Sequence, residues 1–272
     1  RDSMERKKIK KSKKSKKWLF IIIGVILFFI ILYFGIYLYA RMQPKLPITG
    51  ANGYHLYDIN GDVYTASSDK TVSLDEISDD LINATISVED KNFYKHQGFD
   101  FLRIIKAMMV NLTSGETLQG ASTITQQYSK NLFLDFDKTW DRKIKEAWIT
   151  IRLEAHYSKD EILEGYLNTI NYGGIFGIEN ASKYYFNKSA KDLNLAEASM
   201  LAGIPKNPSK YSPLVDEESA KSRQKIILNT MVKNGYITQN QADNAYNTKL
   251  NFLNSRNTTL FFVHRMIISH IV

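Results

Sequence analysis

The hydrophobic positions form one long unbroken run near the N-terminus and many shorter, periodic runs after it. Residues 18–40, WLFIIIGVILFFIILYFGIYLYA, are 23 positions without a charged side chain. At about 1.5 Å per helical residue, this run can cross the roughly 30 Å hydrocarbon core of a bilayer. We therefore predict one transmembrane helix. A cleaved signal peptide, whose apolar core is only about 7 to 15 residues long, and a buried core helix are both poorer explanations.

The stretch after the apolar run changes pattern twice. Residues 42–53 are rich in proline and glycine, which indicates a juxtamembrane linker. Residues 54–66 alternate between apolar and polar side chains around Asn60-Gly61. This alternation about an Asn-Gly pair predicts a small two-stranded hairpin.

From Leu74 onward, apolar residues recur at helical spacing, and the predicted fold class is mainly α. Ser158 with Glu161, and Thr238 with Gln241, have the spacing of capping boxes, and Gly235 stands where a helix would end. The predicted helices lie near residues 79–90, 99–113, 121–134, 139–157, 159–170, 176–186, 193–203, 216–234 and 238–247.

These patterns divide the chain into five predicted segments. They are a basic tail at 1–17, the transmembrane helix at 18–40, a linker with a possible hairpin at 41–73, a helical domain at 74–250 and a C-terminal tail at 251–272. The tail is apolar but interrupted by His264 and Arg265, so it is too short and too polar for a second span. We assign it no role.

Charge changes the picture only at the N-terminus. The first 17 residues carry ten Lys or Arg against two acids, which accounts for the whole formal net charge of +8. The rest of the chain is balanced, so a nucleic-acid partner is disfavoured. A basic cluster just before an apolar span stays in the cytoplasm, which predicts a single-pass protein of the cell membrane with its helical domain outside. The chain has no cysteine, which excludes disulfides and thiolate ligands.

The first chemical constellation is an acidic pair, Glu89-Asp90, at the end of an otherwise apolar helical segment. Acids at a helix end are ordinarily just solvated. Here, however, the pair faces the unfavourable end of the helix dipole and is followed by Phe93, His96 and Gly98. Such a break with local rules is typical of functional sites, so catalysis is the competing interpretation.

The second and third constellations are polar and cationic. Gly120, Ser122, Thr123, Gln126 and Gln127 surround a predicted helix start. This is either an ordinary N-cap, by Ser122 or Thr123, or a site for an anionic or sugar ligand.

Lys130 lies one turn further along that helix. Lys138, Arg142 and Lys143 then precede Glu146, which is four residues after Arg142. These residues form either an i,i+4 ion pair or a diphosphate site.

Taken in order, these motifs resemble the signatures of the bacterial peptidoglycan glycosyltransferases, which comprise the monofunctional transglycosylases and the glycosyltransferase domain of class A penicillin-binding proteins. The motifs are E-D-x-x-F-x-x-H-x-G from Glu89, G-A-S-T-I-T-Q-Q from Gly120, R-K-x-x-E from Arg142 and E-I-L-E-G-Y-L-N ending at Asn168. Segments 198–213 and 220–231 resemble the family too, so the similarity covers roughly residues 75–235.

The resemblance implies a lysozyme-like helical fold and an inverting enzyme that polymerises lipid II into β-1,4-linked glycan strands, releasing undecaprenyl diphosphate. Glu89 would be the general base, and Glu146 would assist at the donor diphosphate through the cations or a divalent metal. Some members use Mg2+ or Mn2+, but no ligand cluster in this sequence proves a metal. The partners implied are lipid II, the growing lipid-linked glycan, the membrane and other cell-wall synthesis proteins.

The remaining motif residues receive supporting roles by the same resemblance. Asp90, Phe93, His96 and Gly98 would shape or support the base. Positive charge at the diphosphate would come from Lys130, Lys138, Arg142 and Lys143. The substrate-binding set is completed by Gly120, Ser122, Thr123, Gln126, Gln127 and Asn168, most of them on the donor side.

Several alternatives stay open at this point. The helix predicted over 99–112 has a large apolar surface that either packs in the core or rests in the membrane interface, as in the family. The protein is either monofunctional or the front part of a bifunctional protein with a transpeptidase domain. Two other functions compete: a membrane-anchored, lysozyme-like glycan hydrolase and a non-enzymatic, membrane-tethered cell-wall scaffold.

Overall fold

The computed structural model describes residues 2–46, 48, 56–57, 63–64, 70–114, 120–133 and 140–253. Side chains are described for residues 18, 20–46, 48, 70–114, 120–132 and 141–253. The described chain divides into two compact units, residues 1–46 and residues 47–272. The predicted Lys138 and the tail beyond residue 253 lie outside the described residues.

The first unit is one helix, α1, Asp2–Met42. It includes the predicted apolar span, and its segment Phe20–Met42 is long and apolar enough to cross a membrane, with most of its large apolar side chains exposed. Exposed apolar side chains form a surface that lipid would cover favourably. The prediction of one N-terminal apolar helix is confirmed.

The second unit begins with the predicted hairpin. Strand β1, Leu56–Tyr57, pairs antiparallel with β2, Val63–Tyr64, with Leu56 opposite Tyr64. The rest of the described unit is helical, which confirms the predicted fold class. Its helices are α2 Asp79–Glu89, α3 Phe101–Ser114, α4 Ile124–Phe133, α5 Trp140–His156, α6 Lys159–Thr169, α7 Ile178–Phe186, α8 Leu195–Leu201, α9 Pro208–Tyr211, α10 Glu217–Lys233 and α11 Gln239–Asn247.

Local chemistry explains where these helices begin and end. The capping boxes predicted at Ser158 and Thr238 are both present, each with a reciprocal side-chain bond to the third helical residue. Gly235 adopts a φ of 80°, and the N–H of Tyr236 donates to the carbonyl of Met231. This is the hydrogen-bond pattern of a glycine-terminated helix.

Two groups of helices build the core. Helix α4 packs against α5 and α6, while α2 packs against α8 and α10. Among the described residues, the fully buried aromatic side chains are Phe93, Tyr128, Tyr166, Tyr172 and Tyr185. The loop after α2 contacts the start of α4, where the N–H of Ile124 donates to Asp90. The acidic pair and the polar helix start therefore lie together.

Candidate active site

Glu89 is the last residue of α2, and the chain stops being helical at Asp90, whose φ is −160° and ψ 76°. The carboxylate lies at the negative end of the helix dipole. The guanidinium of Arg103 on α3 compensates, because it donates a hydrogen bond to the Glu89 backbone carbonyl. The Glu89 side chain keeps 13% of its surface exposed, whereas its Oε1 atom is buried and has no hydrogen-bond partner among the described residues.

The Glu89 carboxylate accepts a single hydrogen bond among the described residues. Gln127 on α4 donates it, from Nε2 to Oε2 at 2.9 Å. Nη2 of Arg223 lies 3.7 Å from Oε1, close enough for charge attraction but outside hydrogen-bond distance. A carboxylate can accept about four hydrogen bonds, so this one retains unused acceptor capacity, as a general base requires.

Asp90, the neighbour of Glu89, is buried and bonded to other parts of the protein. It is 1% exposed, and both its oxygens contact Nε2 of His96, at 3.1 and 3.0 Å. It also accepts from the backbone N–H of Ile124, the first residue of α4, at 3.1 Å. Asp90 thus links His96, in the loop after α2, to the start of α4. These contacts are consistent with the role in positioning Glu89 that the sequence predicts for the two residues.

Gly98 and Phe93 also shape the surroundings of Glu89. Gly98 has a φ of 84°, and a Cβ there would lie 2.7 Å from Cγ2 of Thr150. Its carbonyl accepts from Oγ1 of Thr123 at 2.6 Å. The ring of Phe93 is fully buried, with Nζ of Lys159 at 4.5 Å from its centroid. Gly98 thus leaves no space for a side chain, and Phe93 is a core residue.

The polar start of α4 is an N-cap, as one of the two interpretations predicted. Thr123 accepts from the N–H of Gln126 at 3.2 Å, and Oε1 of Gln126 accepts from the N–H of Thr123 at 3.0 Å. These two side chains are therefore engaged in capping. Ser122 is half-buried, and Gly120 is exposed with open space around it.

The cationic cluster is centred on Glu146 of α5, which is 2% exposed. Nζ of Lys143 lies 2.6 Å from Oε1, and Nη1 of Arg142 lies 3.4 Å from Oε2. The predicted ion pair is therefore present, with Lys143 as a second cation. Two cations on one carboxylate leave a net positive surface, which suits an anionic ligand.

Helix α4 carries both parts of the site. Gln127 faces Glu89, and Lys130, three residues further, is exposed on the last turn. Oγ of Ser129 lies 2.8 Å from Oγ1 of Thr150 on α5. The Thr150 hydroxyl in turn donates to the backbone carbonyl of Glu146 at 2.7 Å. These bonds attach α4 to α5, the helix that carries Glu146.

Asn168 is fully used by the protein backbone. Its Nδ2 donates to the carbonyls of Val72 and Glu164 at 2.8 and 2.9 Å, and its Oδ1 accepts from the N–H of Val72 at 3.1 Å. These bonds attach the segment before α2 to α6. The predicted substrate contact of Asn168 would require them to break.

Three residues near Glu89 were missed as site residues in the sequence: Arg103, Tyr166 and Arg223. Arg223 is 5% exposed, and burial lowers the pKa of its guanidinium, although the charge of Glu89 opposes this. Gly203 makes room for it, since a Cβ there would lie 2.9 Å from Cγ of Arg223. The sequence signal for Arg223 was its place in segment 220–231, which resembles the family but by itself names no partner.

Within the described part of the chain, no group of three or more His, Asp or Glu side chains could hold a metal ion. Both oxygens of Glu146 already contact cationic side chains. The described residues therefore do not fit a protein-held Mg2+ or Mn2+ site. The described site offers a carboxylate with unused acceptor capacity beside fixed positive charge.

Comparison with known proteins identifies the family. Residues 57–232 match the family model described as Transglycosylase. Penicillin-binding protein 2D of Bacillus subtilis (strain 168) is 54% identical over 182 residues, which cover 66% of this chain and 26% of that protein. Penicillin-binding protein 1A of Neisseria gonorrhoeae is 43% identical over 214 residues, 77% of this chain and 26% of that protein.

A third relative extends the similarity along the chain. Penicillin-binding protein 1A of Aquifex aeolicus (strain VF5) is 41% identical over 244 residues, 86% of this chain and 34% of that protein. This chain thus spans about a quarter to a third of the length of these relatives. With the family model matching more than half of its residues, the chain belongs to the transglycosylase family, the peptidoglycan glycosyltransferases of penicillin-binding proteins.

Proposed function

We propose that this protein polymerises lipid II into β-1,4-linked glycan strands and releases undecaprenyl diphosphate. The observation that carries the proposal is the environment of Glu89. Its side chain is partly exposed, and its carboxylate accepts one hydrogen bond from Gln127 and keeps Oε1 without a hydrogen bond from the described residues. It lies on a helix end next to the helix that bears Lys130. A positioned carboxylate with unused acceptor capacity can take a proton from a sugar hydroxyl.

In the proposed reaction, Glu89 takes the proton of the acceptor 4-hydroxyl. The hydroxyl oxygen attacks C1 of the donor sugar from the face opposite the diphosphate. The bond from C1 to the diphosphate oxygen breaks, and its electron pair leaves with undecaprenyl diphosphate. Attack from the opposite face inverts the configuration at C1.

The leaving diphosphate needs positive charge. Lys130, Arg142 and Lys143 supply it in the proposed site, with Lys138 as a further cation predicted from the sequence. Glu146 acts by holding Lys143 and Arg142 in place, since it is buried and contacts both. Fixed charges of this kind stabilise a transition state without having to reorganise. Ser122, which is half-buried, is the residue proposed for the donor side, whereas Thr123 and Gln126, predicted there as well, are engaged in capping α4.

Two surfaces support a membrane location. Helix α1 has the length and composition of a membrane span. Helix α3 exposes six large apolar side chains, so its surface does not serve core packing. They are Phe101, Leu102, Ile105, Met108, Met109 and Leu112. An exposed apolar helix face fits the membrane interface, where a lipid-linked substrate presents its sugar. We place the N-terminus in the cytoplasm because of its basic cluster.

Incubation of the purified full chain, in detergent, with lipid II tests the proposal. Lengthening glycan chains with release of undecaprenyl diphosphate support the glycosyltransferase. Shortening of preformed glycan, with no polymer from lipid II, would support the hydrolase. Binding of cell-wall components without any change in them would support the scaffold.

A further inference from the structure

A buried tyrosine hydroxyl lies behind the proposed base. Tyr166 on α6 is completely buried, and its hydroxyl donates to Oε1 of Gln127 at 3.0 Å. Nε2 of the same Gln127 side chain donates to Glu89 at 2.9 Å. Tyr166, Gln127 and Glu89 thus form a line of two hydrogen bonds that runs from the core to the site.

The Gln127 amide can work in only one orientation here. An ionised carboxylate accepts hydrogen bonds and cannot donate them, so Glu89 needs the NH2 end of the amide. The carbonyl end then faces inwards, where Tyr166 supplies a donor. Glu89 itself favours this orientation, and the Tyr166 hydroxyl adds a second contact that favours it, because the buried carbonyl would otherwise lack a partner.

We propose that Tyr166 is a positioning residue for Glu89, because its hydroxyl fixes the Gln127 amide with the donor end towards the carboxylate. The inference rests on the proposed function, in which Glu89 is the base. Burial, and then the negative charge of Glu89, raise the pKa of Tyr166 well above its usual value, so the hydroxyl keeps its proton at physiological pH.

The positioning role of Tyr166 matters because few other groups contact the Glu89 carboxylate. The charged and titratable groups facing Glu89 are Arg223 from α10, Arg103 from α3 at its backbone carbonyl, and Asp90 beside it. None of them donates a hydrogen bond to the carboxylate. Its one donor among the described residues is Gln127, so a reversed amide would replace an attraction with a repulsion.

Tyr166→Phe tests the proposal. It removes the hydroxyl and leaves the ring, so the inner end of Gln127 loses its donor and the amide holds the ionised form of Glu89 less firmly. We expect kcat to fall about tenfold with little change in KM, and the acid limb of kcat/KM against pH to move up by about one pH unit. The assay is lipid II polymerisation by the full chain over a range of pH.

Tyr172→Phe is the matched control. Tyr172 is also fully buried, and its hydroxyl has no hydrogen-bond partner among the described residues. We expect wild-type kcat and an unmoved acid limb. Polymerisation by the wild type and by this control tests the proposed function. If neither polymerises lipid II, the proposed function fails; if both do and Tyr166→Phe behaves like them, only the positioning role of Tyr166 fails.

Gln127→Met keeps the inference testable if Tyr166→Phe fails to fold. It removes the amide between the two partners, and we expect the same upward shift of the acid limb. Adding Tyr166→Phe to Gln127→Met should then cause no further shift. The positioning role is overturned if Tyr166→Phe or Gln127→Met leaves the limb unmoved, or if the two shifts add.

Discussion

At the scale of single residues, the site combines a weakly held base with tightly held neighbours. Glu89 accepts one hydrogen bond, whereas Asp90, one position further, is almost fully buried and contacts both His96 and the N–H of Ile124. The difference follows from position, since Glu89 is the last helical residue and Asp90 turns into the loop. One acid is thereby left available for chemistry, and the other holds the loop.

Asp100 gives the loop between α2 and α3 a pH dependence. Burial favours the neutral form of its carboxyl, but the hydrogen bonds from Asn92 and the N–H of Arg103, with the charges of His96 and Arg103, outweigh burial and lower its pKa below 3.8. A carboxylate with a lowered pKa stabilises the fold above its ordinary pKa. That stabilisation is lost as the pH falls through the lowered value.

We therefore expect Asp100→Asn to lower the free energy of unfolding at about pH 7 and to lower it much less at about pH 2. Urea unfolding of the full chain in detergent, followed by circular dichroism, measures both values. An equal loss of stability at the two pH values would show that the charge of Asp100 is not what stabilises the loop.

Single residues also show where sequence analysis ends. The acidic pair and Glu146 could be predicted because each breaks a local rule or belongs to an ordered motif. Tyr166 and Arg223 also lie in segments that resemble the family, but their contacts with Gln127 and Glu89 could not be predicted, because these join helices that are distant in the chain. Such contacts depend on how α2, α4, α6 and α10 pack, which local patterns do not specify.

At the scale of elements, periodicity was a good guide. All nine predicted helices are present, with ends within three residues of the predicted ones. Sequence patterns work here because most helix ends carry their own signals, such as the capping boxes at Ser158 and Thr238. The short helix α9 was missed, since its four residues are fewer than a periodic pattern needs.

The contact between α4 and α6 depends on a glycine. A Cβ at Gly165 of α6 would lie 2.1 Å from the hydroxyl oxygen of Tyr128 on α4, and Tyr128 is fully buried. Because the ring has no space to move into, the two helices would have to separate. We expect Gly165→Ala to destabilise the protein by about 1 to 3 kcal/mol, despite the better helix propensity of alanine.

Thermal unfolding of the full chain in detergent measures this effect. Gly120→Ala is the control, because a Cβ at Gly120 meets nothing within 4 Å. We expect an unchanged melting temperature for the control and a clearly lower one for Gly165→Ala. Equal melting temperatures would mean that α4 and α6 do not approach as closely as described.

At the scale of the whole molecule, the charge pattern predicts how the protein lies across the membrane. The basic residues before the apolar run favour a cytoplasmic N-terminus. The chain contains no cysteine, so single introduced thiols report their location without interference. Ser12 lies in the basic segment, and Ser222 is exposed on α10.

We expect a membrane-impermeant maleimide to label Ser222→Cys in cells whose inner membrane is intact. Ser12→Cys should react only after the membrane is permeabilised. Labelling is read on a gel, with the cysteine-free chain as the control. Reaction of Ser12→Cys in intact cells, with Ser222→Cys protected, would reverse the proposed orientation.

We propose that Glu89 is the base of a lipid II polymerase. Two glutamate variants, compared in a polymerisation assay, test this role. Glu89→Gln keeps the size of the side chain but cannot accept a proton, whereas Glu218→Gln makes the same change at an exposed position on α10. We predict that Glu89→Gln slows polymerisation about a hundredfold or more and that Glu218→Gln polymerises like wild type. Polymerisation by Glu89→Gln at the wild-type rate would contradict the account.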